Sequence, residues 1–140
     1  MYRICRDHST YAIIDVGGDD QGAIALGRYT PEILEENNYE MVFVANAYRP
    51  LTRTAQEALE VMREIEAAGR IPFTAIVNNA NLGSETGAED VMHGEAFCEE
   101  LSRLSGLPVL FTSVTKDVEP QLKGKIANLF PMQLQYKYYE

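Results

Sequence analysis

The sequence has few cysteines and histidines, and no hydrophobic run is long enough to cross a membrane. Two cysteines, Cys5 and Cys98, make no disulfide framework, and we interpret both as small buried hydrophobic residues in a reducing compartment. The two histidines, His8 and His93, have no tight metal-ligand spacing with them, and His93 is expected to be solvated or to cap a helix. These absences exclude a disulfide framework and a compact cysteine–histidine metal site.

Positive charge is also scarce, because 12 Lys and Arg residues face 21 Asp and Glu residues, for a net charge of −9. Such a surface argues against non-specific binding to nucleic acid or to an anionic membrane, although a nucleotide is not excluded. There is no signal peptide, so we expect a cytoplasmic protein. With no linker, repeat or low-complexity tract, residues 1–140 are predicted to form a single domain.

Four short runs rich in Val, Ile or Phe predict strands. They are mostly apolar rather than alternating, which is typical of parallel strands covered on both faces. The runs are residues 11–15, 41–46, 73–78 and 108–112.

Helical patterns lie between these runs. Residues 54–68 and 86–104 are predicted to be helices that begin with the capping boxes Thr54–Glu57 and Thr86–Glu89. Further short helices are expected around residues 22–28 or 31–37 and around 119–128, with an edge strand at 132–139. Alternating strands and helices predict an α/β fold with a mainly parallel sheet flanked by helices.

Ligands of an open parallel sheet bind beyond the carboxyl ends of its strands. This rule brings four polar segments together at one end of the predicted sheet. They are residues 15–21, 46–53, 78–83 and 112–116.

The first of these segments carries the acids. Asp15 ends an apolar strand, and its carboxylate either holds Mg²⁺, directly or through a water, or caps the turn that follows. Gly17 and Gly18 either allow a phosphate to approach the backbone or form a tight turn. Asp19 and Asp20 either orient water or metal or are simply solvated.

The other segments supply cations, amides and a hydroxyl. Arg49 is either an anion contact or a partner in a salt bridge at a helix start. Asn78 and Asn79 carry amides that match a purine edge, or they hydrogen-bond within their own turn. Thr112 begins the fourth segment.

Residues 11–20, Tyr-Ala-Ile-Ile-Asp-Val-Gly-Gly-Asp-Asp, resemble the Walker B and switch segment of the ParA/MinD-type (CobQ/CobB/MinD/ParA) nucleotide-binding proteins. Residues 48–54 and 76–83 resemble later loops of a bacterial branch of that family. The likeness covers nearly the whole chain in order, and the segments around Asp15 and Asn78 are its more specific parts.

The resemblance implies a P-loop NTPase-like fold of the SIMIBI class, with Mg²⁺ and ATP as cofactors and nucleotide-dependent dimerisation. It makes Asp15 the Walker B acid and metal ligand, with Asp19 and Asp20 beside it. It makes Asn78 or Asn79 the adenine contact, and it places residues 112–115 near the base or ribose.

The phosphate-binding loop of that family, G-x-x-x-x-G-K-[ST], has no match here. Gly124-Lys125 is followed by Ile126, and Glu119 stands where the first glycine should be. The chain therefore looks like the carboxyl-terminal portion of such a protein, without the phosphate-loop strand and helix, and we expect an N-terminal P-loop segment to be missing. Since the gap would leave unpaired strand edges, we expect a homodimer or an exchanged element.

These observations favour a nucleotide-binding ATPase-like domain with little or no hydrolysis of its own. The alternative is a non-catalytic protein-interaction module on the same fold. A third hypothesis is a Mg²⁺-dependent enzyme or phospho-acceptor built on Asp15, Asp19 and Asp20, with Thr112 and Lys116 at another strand end.

Overall fold

In the described residues, parallel strands form one four-stranded sheet, in the order in which they occur along the chain. The structure, a computed structural model, describes Ser9 and residues 11–17, 20–80 and 85–133. The strands are β1 (Val42–Ala45), β2 (Ala75–Asn78), β3 (Val109–Thr115) and β4 (Leu129–Met132). The predicted strands at 41–46, 73–78 and 108–112 are thus confirmed, and so is the α/β class.

Helices connect the strands and precede them. They are α1 (Asp20–Gly27), α2 (Thr30–Glu36), α3 (Ala55–Gly69), α4 (Ala88–Ser105) and the short α5 (Glu119–Leu122), with a 3-10 turn at Pro50–Thr52. The predicted cap of α3 is confirmed, because the Glu57 N–H donates to Thr54 Oγ1 at 3.1 Å. The predicted cap of α4 is wrong: Gly87 is the N-cap, and its N–H donates to Asp90 Oδ2 at 2.8 Å.

One face of the sheet is packed against α3 and α4. Phe43 and Ile76 from the strands meet Met62 of α3 and Leu101 of α4 in the same buried cluster. The rings of Phe43 and Phe73 pack edge to face, with centroids 5.4 Å apart. The long crossover helices therefore lie in one layer, and they bury the side chains at alternate strand positions.

The other face of the sheet exposes apolar side chains of its edge strands, whereas Val77 and Ser113 at its centre are buried. Val44, between the buried Phe43 and Ala45, is 58% exposed. On β4, Phe130 and Met132 are 52% and 45% exposed, and the Phe130 ring lies 5.2 Å from that of Phe111. The structure thus exposes apolar side chains of both edge strands on this face.

The strand predicted at residues 11–15 is wrong. Residues 11–17 belong to neither helix nor strand, and the side chains of Tyr11 and Ile13 are 93% and 90% exposed. A strand requires a hydrogen-bonded neighbour, and none of the described strands pairs with this segment. The fourth strand of the sheet is instead β4, Leu129–Met132.

Two other bounds differ near the carboxyl end of the chain. Strand β3 continues to Thr115 because β4 pairs with it from Thr112 onwards. Helix α5 ends at Leu122 rather than near residue 128, since Gly124 adopts φ 87° in a turn. The predicted edge strand at 132–139 lies almost entirely outside the described part of the chain, and the strand described here, β4, ends at Met132.

Replacing Gly94 with alanine should destabilise the fold by about 1–3 kcal/mol. A Cβ there would lie 2.6 Å from both Ala80 Cβ and Asn78 Oδ1, so α4 would have to move away from β2. Chemical denaturation would measure the loss. The control is Gly27→Ala in α1, where the nearest atom is 3.4 Å away and a change of no more than about 1 kcal/mol is expected. Equal losses in the two variants would contradict this account.

Candidate functional site

The carboxyl ends of β1 and β2 lie side by side with Thr112 of β3, as expected for parallel neighbours, and β3 continues to Thr115. We call this end of the sheet the rim and define it by Asn46, Asn79 and Ser113, with the loop at residues 47–53. The Asn79 N–H donates to the Ala45 carbonyl at 2.8 Å, which joins the ends of β1 and β2. The rim therefore brings together polar residues from three predicted segments.

Asn79 and Ser113 form the central contact of the rim. The Ser113 hydroxyl donates to Asn79 Oδ1 at 2.5 Å. This bond engages the amide oxygen, while the two donors of the amide nitrogen remain outside it. Asn79 is only half-buried, so its amide lies within reach of a bound molecule.

Asn78 has a different environment from its neighbour. It is 1% exposed, and its Nδ2 donates to the Val91 carbonyl at 3.5 Å. Its Oδ1 faces the backbone of Gly94, close to where a Cβ would stand. Asn78 thus joins β2 to α4, and Asn79 is the asparagine that a ligand could contact.

Thr112 also points towards α4. Its side chain is 1% exposed, and Oγ1 donates to Glu95 Oε2 at 2.9 Å. A hydrogen bond from a buried hydroxyl to a carboxylate stabilises the α4–β3 contact. Since β3 extends three residues beyond it, Thr112 lies inside a strand rather than in a rim loop.

The loop after β1 folds around Asn46. Asn46 Oδ1 accepts from the Tyr48 N–H at 3.0 Å, and its carbonyl accepts from Thr52 Oγ1 at 2.9 Å. Arg49, the N-cap of the 3-10 turn, is exposed. The loop therefore has a defined shape and places two exposed guanidinium groups, those of Arg49 and Arg53, beside the rim.

A cluster that sequence reasoning missed connects this loop to α4. The Tyr48 hydroxyl donates to Asp90 Oδ1 at 2.9 Å, and the Tyr48 ring lies 5.5 Å from that of His93. The hydrogen bonds from Gly87 and Tyr48 lower the pKa of Asp90. Desolvation, followed by the contact with Asp90, raises the pKa of Tyr48. The sequence offered one signal for Asp90, an acid at the third position after a glycine, which could have predicted its capping contact with Gly87.

Asp15 lies apart from the rim residues. It is exposed and lines a shallow pocket of about 250 Å³ against α1, together with apolar residues such as Ile14 and Leu26. None of the residues that line this pocket belongs to the rim. Helix α1 packs at the carboxyl end of α3, where Ala23 meets Gly69, and this end of α3 leads into β2 rather than away from it.

The remaining candidates of the first segment are only partly described. Gly17 approaches α1 so closely that a Cβ on Gly22 would lie 2.7 Å from the Gly17 carbonyl oxygen. Gly18 and Asp19 lie outside the described residues, and Asp20 begins α1. The described residues contain no group of three or more His, Cys, Asp or Glu side chains that could hold a metal ion.

Comparison with protein-family models, curated proteins and solved structures gave no match to this chain. No helix in the part of the chain that the structure describes is long and apolar enough to span a membrane.

The pH dependence of stability should report on Asp90. Because its folded pKa lies below the ordinary value of 3.8, its carboxylate stabilises the fold fully above that pH and loses this effect as pH falls through the lowered value. We expect Asp90→Asn to lower the unfolding temperature at neutral pH. The difference in unfolding temperature between Asp90→Asn and the unmodified protein should become smaller below pH 3.8.

Thermal unfolding followed by circular dichroism would measure this difference. Glu89→Gln, at an exposed acid in the same helical turn, is the control and should leave a small difference that does not narrow in this way. A difference for Asp90→Asn that stayed constant at all pH values would show that its ionisation is not coupled to folding.

Proposed function

We propose that the chain forms the base-binding side of a nucleotide site of the ParA/MinD, P-loop NTPase-like type, with little or no hydrolysis of its own. The observation that supports this most is the hydrogen bond between Asn79, directly after β2, and Ser113 of the neighbouring parallel strand β3. An amide that presents donors to solvent suits the edge of a purine. The sequence resemblance implies that Asn78 or Asn79 is the adenine contact.

The described residues suit a base better than a magnesium triphosphate. A triphosphate needs a cradle of backbone N–H groups and cations, and the sequence has no G-x-x-x-x-G-K-[ST] loop. Asp15, the proposed metal ligand, is in a separate pocket, and Arg49 and Arg53 are the exposed cations of the described rim loop. We therefore propose weak binding through the base, and we derive no chemical step through Mg²⁺.

A protein-interaction module is the second candidate function. The exposed apolar side chains of the edge strands favour it, with Val44, Phe130 and Met132 each at least 45% exposed. Apolar surface of this kind commonly marks a protein contact. If the chain has this function, the rim residues stabilise the fold and bind no ligand. Asp15→Ala then leaves any ligand affinity unchanged.

Titration with Mg²⁺-ATP, followed by amide NMR spectra, tests the nucleotide proposal. We expect saturation only at a dissociation constant on the order of 1 mM, because contacts to the base alone contribute little binding free energy. The shifted resonances should cluster at residues 46–53, at Asn79 and at Ser113. Asn79→Ala should abolish the shifts, and phosphate release should stay at background.

Asn38→Ala is the matched control, since Asn38 is an exposed amide before β1, at the opposite end of the sheet. It should leave the titration unchanged. Micromolar affinity would refute the claim that binding is weak. Shifts that Asn79→Ala leaves intact, or no shifts with millimolar nucleotide, would refute the rim as a base site and favour the interaction module.

A further inference from the structure

The outer side of β1 carries backbone hydrogen-bonding groups that none of the described strands uses. The Ala45 carbonyl accepts the Asn79 N–H, so alternate residues of β1 direct their backbone groups towards β2. Val42 and Val44 direct theirs to the outer side, along about 13 Å of strand. None of the described strands pairs with β1 on that side.

The opposite edge of the sheet is blocked. The Met132 carbonyl accepts the Lys116 N–H at 3.1 Å, so Pro131 is one of the residues of β4 that face outwards. Proline has no N–H to donate to a further strand. Growth of the sheet by strand addition is therefore favoured at β1.

A suitable strand exists in the same chain. Residues 11–16 are not paired in any described ladder, and Tyr11 and Ile13 are at least 90% exposed. The segment is long enough to span the open side of β1, and its β-branched and aromatic residues favour a strand. Gly17 follows it and can act as a hinge before α1.

We propose that two copies of this chain exchange residues 11–16, each copy adding the segment as a fifth strand to the outer side of the other copy's β1. A second copy is the occupant because one chain carries both the open side and the unpaired segment. Reciprocal exchange about a two-fold axis pairs the open side of β1 and residues 11–16 in each of the two copies. A different protein at β1 would leave Tyr11 and Ile13 exposed.

The exchanged strand runs parallel to β1. In that direction residues 11–14 lie beside Val42–Ala45, and Asp15 lies beside Asn46. The antiparallel direction would place the Asp15 carboxylate next to the apolar start of β1. Parallel exchange therefore brings the acid of one copy to the rim of the other.

The size of the sheet face opposite α3 and α4 supports exchange over simple stacking of two sheets. Four strands about 4.8 Å apart and about 13–23 Å long present about 300 Å² per copy. A stable dimer buries about 800 Å² per partner. Exchange adds to the face two segments per dimer, each with a tyrosine that alone buries about 150–250 Å².

Two variants that each carry one added cysteine, mixed with each other, test the exchange. In a Cys5→Ser background, one preparation carries Ile13→Cys and the other Val44→Cys, while the native Cys98 is fully buried. After mixing, unfolding, joint refolding and mild oxidation, we expect a covalent dimer of twice 15.7 kDa that contains one chain of each kind. Neighbouring strands lie close enough for this disulfide.

Met92→Cys in place of Val44→Cys is the matched control, because Met92 is 40% exposed on α4, on the helical side of the sheet. It should give little mixed dimer. In light scattering, Ile13→Asp should weaken dimerisation about tenfold or more without loss of helical signal. A monomer at the highest soluble concentration, or equal cross-linking to Met92→Cys, would overturn the proposal. A protein that carries Ile13→Cys and Val44→Cys in the same chain gives a further test. A disulfide formed within one such chain would also overturn the proposal.

In the exchanged dimer, Asp15 of one copy would contribute to nucleotide binding at the rim of the other. This role rests on the proposed nucleotide function and is measured separately. Asp15→Ala should leave the cross-link intact and reduce the Mg²⁺-dependent part of ATP binding. A retained cross-link with unchanged nucleotide binding refutes that role but not the exchange. Loss of the cross-link refutes the exchange, whatever the nucleotide titration shows.

Discussion

The close packing of α4 against the carboxyl end of β2 is the constraint on which the rest of the structure depends. Gly94 allows the helix to reach the side chain of Asn78, and no larger residue fits there without displacement. From this contact, α4 directs Glu95 to Thr112 of β3 and Asp90 to Tyr48 of the loop after β1. One helix thus fixes the relative positions of three strand ends.

This constraint divides the polar residues at the strand ends into two groups. Asn78 and Thr112 face the helix, and their hydrogen bonds hold the layers together. Asn79 and Ser113, one position further along each strand, face the other way and form the rim. The alternation of side chains along a strand is therefore what separates residues that stabilise the fold from those available to a ligand.

Much of the fold could be predicted from the sequence, because buried strands and capped amphipathic helices have strong local patterns. The strand at residues 11–15 was wrong because its apolar pattern shows a capacity to pair and not the presence of a neighbour. The end of β3 was missed for the converse reason, since β4 extends it beyond its apolar run. The sequence placed Asn78 and Asn79 together, but no local pattern could tell which of the two faces α4. The Asp90–Tyr48 contact joins residues 42 positions apart and left no local signal.

Pro131 has a consequence for how this protein can assemble in bulk. A parallel sheet with two open edges can add subunits at both, and such growth has no natural end, so it leads to fibrils. With proline on the outward side of β4, the described sheet accepts a further strand more readily at β1 than at β4. Association through backbone pairing is then disfavoured at one of the two described edges, which limits the growth of filaments from the exposed apolar strands of this chain.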